Sequence, residues 1–146
     1  MSGRLKQVAV VIVGLFAAAQ LVRPGRANPP TEQSRTLQAQ IGTSSALPGI
    51  LDRSCGDCHS NATAWPWYTQ VAPLSWAMVY GVKAGRNAVN FSEWAAYPPE
   101  RQRTLLSLSC ADVTAGKMPG GAWTLIHPSA RLSAQDVATI CAAARS

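Results

Sequence analysis

Apolar positions along this chain fall at helical spacing and nowhere alternate as a half-buried strand would. The first run, Val8 to Val22, is nearly continuous, broken by Gly14 and Gln20 and preceded by Arg4 and Lys6. Residues 24–46 are polar and hold Pro24, Gly25, Pro29, Pro30 and Gly42, the composition of a tether. From Leu47 the pattern turns amphipathic, with Leu47, Ile50, Leu51, Cys55 and Cys58 on one helical face. Trp65-Pro66-Trp67-Tyr68 reads as a loop. Leu74, Met78, Val79 and Val82 mark the buried face of a second helix ending near Gly85. Pro98-Pro99-Glu100 opens a third, because proline suits a first helical turn, and it runs through Leu105, Leu106, Cys110 and Val113 to Gly116. Ser133 and Asp136 form a capping-box pattern ahead of Val137, Ile140 and Cys141. The expected fold is all-α: four or so short helices in one domain over 47–146, after a signal or anchor segment (1–23) and a polar linker (24–46).

The net charge of +6 invites a nucleic-acid reading that its distribution removes. Arg4, Lys6, Arg23 and Arg26 lie in the first 26 residues with no acid, leaving nine basic and seven acidic residues elsewhere. The basicity belongs to a targeting segment, and no lysine-rich stripe would track a phosphate backbone. That segment has two readings. Ala17-Ala18-Ala19 offers small-residue cleavage of a secretory signal, giving a soluble periplasmic product. Alternatively the run stays as a membrane anchor, although fifteen helical residues reach only about 22 Å against a hydrocarbon core of about 30 Å. Either way the remainder is expected outside the cytoplasm. Basic residues on both flanks give the positive-inside rule little purchase.

Cys55-Gly56-Asp57-Cys58-His59 carries the chemistry. Two thiols spaced i, i+3 on a helix can add to the two vinyl groups of one haem, and the histidine that follows is placed to ligate its iron. This is the attachment signature of haem c. Three other readings compete. A thioredoxin-like pair needs a βαβ context, which is missing. A zinc site would have to recruit His59, Cys110, Cys141 or His127 without a second paired motif. The third is a local disulfide.

The sixth iron position decides the function. Met118, in Gly116-Lys117-Met118-Pro119-Gly120-Gly121, follows a helix end, and Pro119 favours an extended backbone before it. Its ordinary reading is a gap-filling core methionine, which suits Met78 better. His127, ahead of Pro128, is the other candidate, and an open site is a third outcome.

These residues carry a resemblance. The chain resembles the bacterial haem-binding-domain family of single-haem, cytochrome c-like proteins. The likeness rests on Cys55-Gly56-Asp57-Cys58-His59-Ser60, Trp65-Pro66-Trp67-Tyr68 and Ala72-Pro73-Leu74-Ser75-Trp76. Gly85-Arg86, Asn90-Phe91-Ser92-Glu93-Trp94, Met118-Pro119, His127-Pro128 and, upstream, Gln20-Leu21-Val22-Arg23-Pro24 add to it. The resemblance covers about residues 20–143. It implies a class I cytochrome c-like helical fold with His59 and Met118 as axial ligands, and it tilts the first segment towards a retained anchor. Cys110 and Cys141 lie outside the family pattern.

Trp65, Trp67, Tyr68, Trp76 and Trp94 cluster after the motif, and rings such as Trp67 and Trp76 can cover a haem face while an indole N–H bonds a propionate. Arg86 is a candidate propionate partner, against an ordinary solvated charge. Cys110 and Cys141, on apolar faces of two helices, are candidates for a disulfide in an oxidising compartment, against two buried thiols. The expected function is a one-electron carrier that meets redox partner proteins through small transient interfaces, with no nucleic acid and no enzymatic machinery. Rivals are a haem sensor or ligand binder with a displaceable sixth ligand, and a peroxidase using His127.

Overall fold

The computed structural model describes residues 3–42 and 45–145; residues 43 and 44, within the expected linker, lie outside that description. Among the described residues every regular element is helical. The α-helices are α1 (Gly3–Ala19), α2 (Leu37–Ile41), α3 (Leu47–His59), α4 (Leu74–Ala88), α5 (Pro99–Thr114), α6 (Gly121–Ile126) and α7 (Ala134–Ala143). Short 3-10 turns lie between them, including Trp67–Gln70 and Phe91–Ala96.

Local chemistry sets the ends of the long helices. Pro99 sits in the first turn of α5, where its missing N–H costs nothing. Ser133 and Asp136 close a reciprocal capping box on α7: the Asp136 N–H donates to the Ser133 hydroxyl at 3.1 Å, and the Ser133 N–H to the Asp136 carboxylate at 2.8 Å. These bonds hold the Asp136 carboxyl below its ordinary range, chiefly through the Ser133 backbone. Arg53 of α3 adds an ion pair to Asp136 at 3.1 Å.

α3 packs on α4, α5 packs on α7, and α3 also meets α7. Leu47, Leu51, Leu105 and Ile140 meet Phe91 and Trp94 in the core between these pairs. A disulfide between Cys110 and Cys141 joins α5 to α7. Closing a loop of 31 residues stabilises the fold by about 3–4 kcal/mol through the unfolded chain. The buried face of α4 is Ser75, Val79, Val82 and Gly85. It is rotated from the expected one, and Leu74 is exposed because it only opens the helix.

The stretch read as a tether lies on the domain. Leu37 of α2 is fully buried in the core. Residues 20–28 form a strap: the Gln20 amide makes two bonds with the backbone of Ala72, at 3.0 and 3.3 Å. The Trp76 indole donates to the Val22 carbonyl at 2.8 Å, and Arg26 to the Thr69 carbonyl at 2.9 Å. The composition of 24–46 predicts a tether; within it Leu37–Ile41 is helical, and the polar side chains of Arg26 and Asn28 find partners on the domain. α1 precedes the strap with no buried residue, and at 17 residues it measures about 25 Å. Among the described residues no helix is long and apolar enough to cross a membrane.

Candidate functional site

Two neighbouring cavities, about 180 and 470 Å³, share Cys55, His59, Ala88 and Met118 in their walls. Together they reach the size of cofactor pockets, about 300–1,000 Å³. The smaller is lined mainly by core side chains such as Leu51, Phe91 and Leu105. The larger is bordered by Gly81, Ala84, Gly85 and Ala88, a stripe of small residues on α4 that leaves room for a flat molecule. Gly85 is required twice over. A Cβ there would lie 2.9 Å from the Cys58 carbonyl carbon, so only glycine lets α4 cross the end of α3 this closely.

The last turns of α3 present the motif. Cys55 and Cys58 are free thiols. Burial pushes the Cys55 thiol up to about 11, with the neighbouring Cys58 adding to the effect, and burial raises Cys58 also. Both are therefore held as protonated thiols at neutral pH. His59 Nδ1 lies 3.2 Å from the Val89 carbonyl oxygen. Burial lowers its pKa, favouring the neutral ring, with Nδ1–H donating to Val89 and Nε2 left as the nitrogen a metal would take.

Met118 reaches the same cavities through the end of α5. Gly116, at φ +67°, ends the helix in the left-handed conformation. The Gly116 N–H then bonds the Val113 carbonyl at 3.2 Å and the Lys117 N–H the Asp112 carbonyl at 2.9 Å, a Schellman turn. The next residue is Met118, which borders both cavities and is 45% exposed.

His127 is placed differently. It caps α6, stacks on Trp123 with ring centroids 3.7 Å apart and planes at 13°, and shares a hydrogen bond through Nε2 with the Tyr68 hydroxyl. It lines neither cavity. Arg86, Trp67 and Trp76 also stand outside both walls. Four of the five N–H groups of the Arg86 guanidinium donate to the carbonyls of Ser60 and Ala27 and the side chains of Asn28 and Thr63, so it clamps the strap. Trp76 holds Val22, and Trp67 is 78% exposed.

Sequence reasoning missed Trp123, which borders the larger cavity. The available signal was its spacing of four from His127, which puts the two rings on one face of a short helix. It also missed the small-residue stripe of α4, legible as Gly81, Ala84, Gly85 and Ala88 at helical spacing.

Among the described residues no three His, Cys, Asp or Glu side chains converge on a metal position, so the zinc reading lacks its ligand set. The donor chemistry instead fits a flat, largely apolar cofactor: paired free thiols, an oriented imidazole and a thioether around one groove. A family model described as Haem-binding domain matches residues 14–146. No curated protein and no solved structure matches the chain. Since the family match takes in every residue of the groove, the chain belongs to the haem-binding-domain family and is a haem-binding protein.

Proposed function

We propose that this protein is a single-haem c-type cytochrome acting as a one-electron carrier on the periplasmic side of the bacterial cytoplasmic membrane. What supports this reading is that Cys55, His59 and Met118 border both cavities together. Cys55 and Cys58 would add their S–H bonds across two vinyl groups, each forming a thioether while the hydrogen goes to the adjacent carbon. His59, through Nε2, and Met118, through its sulfur, would hold the iron. A bound haem supplies one-electron exchange at its iron. The chain's own part is to keep the two ligands fixed and to hold apolar side chains around the groove, which favours the reduced state. The Val89 carbonyl orients the His59 ring, and the Schellman turn positions Met118. α1, apolar and unburied, would serve as the anchor, with the strap fixing the domain close to it. Its partners would be redox proteins meeting it through small transient interfaces.

Visible spectra of the protein made with a c-type maturation system test this reading, followed by extraction with acidic acetone. Low-spin ferric and ferrous spectra, colour retained by the chain, and loss of the methionine-to-iron band in Met118→Ala are expected. Extractable colour would overturn covalent attachment. Rapid carbon monoxide binding by the ferrous protein would favour a sensor with a displaceable ligand.

A further inference from the structure

A file of rings runs from the groove to the surface. Trp123 borders the larger cavity beside Met118 and Pro119. His127 stacks on it, Tyr68 meets His127 with centroids 6.1 Å apart, and Trp67 meets Tyr68 at 6.0 Å, edge to face. Trp67 is 78% exposed, so one end of the file touches solvent. Tyr68 shares its hydroxyl with His127 Nε2. With the imidazole proton on Nδ1, the phenol O–H donates and Nε2 accepts. Burial, followed by the charge of Asp57, raises the Tyr68 pKa, which keeps the phenol protonated.

We propose that Tyr68 and His127 form a proton-coupled redox site that carries oxidising equivalents between the groove and the surface at Trp67. A phenol that loses an electron becomes a strong acid, and a base already bonded to it removes the penalty of forming the cation. On the groove side the oxidant is a hydroperoxide, reduced at bound haem with two protons from solvent to an alcohol and water, and Trp123 supplies the two electrons this needs one at a time. The oxidised Trp123 then takes one electron from Tyr68. The Tyr68 O–H bond breaks, an N–H bond forms at His127 Nε2, and Trp123 is restored. Tyr68 is left as a neutral phenoxyl radical beside a protonated imidazole. A one-electron reductant arriving at Trp67 returns the electron, and the proton returns to Tyr68. The proposal needs haem in the groove and, for the hydroperoxide route, Met118 displaced from the iron; it does not need the carrier role.

Two routes into the haem-loaded full-length chain test it. Hydrogen peroxide followed by freeze-quench EPR loads the site from the groove. Flash-generated ruthenium(III) tris-bipyridyl loads it from solvent through Trp67. The expected result is a tyrosyl radical from both routes that Tyr68→Phe abolishes and that Tyr80→Phe and Tyr97→Phe leave intact. His127→Gln should slow its formation by about 100-fold, the lower range for a positioned base. Trp123→Phe should weaken the peroxide route and spare the flash route. Visible spectra and helical circular dichroism matching the parent establish that each variant is folded. A radical that survives Tyr68→Phe, or a rate unchanged in His127→Gln, overturns the proposal. A chain that loads no haem contradicts the family reading instead, and the flash route then still decides the Tyr68–His127 pair.

Discussion

His59 Nδ1 and the Val89 carbonyl oxygen stand 3.2 Å apart, a bond that reaches from the end of α3 to the residue following α4. It fixes the ring tautomer and directs Nε2 towards any metal in the groove. His59→Ala removes the ligand and leaves Cys55 and Cys58 in place. Haem should stay with the chain while the low-spin visible spectrum becomes high-spin. A low-spin spectrum in this variant would place the axial nitrogen elsewhere.

The α3–α4 crossing gives a stability test. A Cβ at Gly85 would press into the Cys58 backbone, whereas one at Gly49 meets nothing within 4 Å. Gly85→Ala should lower stability by about 1–3 kcal/mol, the usual cost of overpacking. Gly49→Ala should raise it by about 0.5–1 kcal/mol through helix propensity. Urea midpoints at constant m-value separate the two.

Much of this arrangement was legible beforehand, and the reasons differ by residue. The α3, α5 and α7 patterns succeeded because their apolar faces and their proline or capping signals agree. α2 and α6, of five and six residues, are too short to show a period. Arg86, Trp67 and Trp76 are candidates for haem contact, each against an ordinary structural role. In the structure Arg86 and Trp76 hold the strap, whose docking depends on individual hydrogen bonds that leave no repeat in the sequence. The position of Met118 just past a helix end is legible because Gly116 and Pro119 together mark a helix stop.

The Cys110–Cys141 bridge joins α5 and α7 around the smaller cavity. Replacing both cysteines with serine should lower stability by about 3 kcal/mol. The haem spectrum should keep its position, since neither sulfur borders the groove. Thermal melts and a visible spectrum of the same sample check both halves.

The α7 capping box predicts a dependence on pH. The Asp136 carboxyl is depressed in the folded chain, so its stabilising effect is fully present above the unfolded carboxylate value of about 4. It is lost as pH falls through the lower folded value. Wild type and Asp136→Asn should therefore differ in Tm at neutral pH and converge in acid. A gap that persists at the acidic end would mean the carboxylate charge is not its source.

Arg86 distinguishes a clamp from a haem partner. Its guanidinium bonds the Ser60 and Ala27 carbonyls and the side chains of Asn28 and Thr63. Removing it takes a donor from each of these acceptors and loosens residues 26–28, which the Arg26–Thr69 and Asn28–Thr63 bonds still tie to the domain. Arg86→Ala should cost about 3 kcal/mol, the upper range for hydrogen bonds to a charged group. Arg86→Lys should recover only part of this, because an ammonium cannot reproduce the planar fork. Amide exchange should quicken at 26–28 in both variants and stay slow in α7. Because Arg86 borders neither cavity, the reduction potential of the haem-loaded protein should hold steady in Arg86→Lys. A clear shift in that potential would instead place the guanidinium against the cofactor.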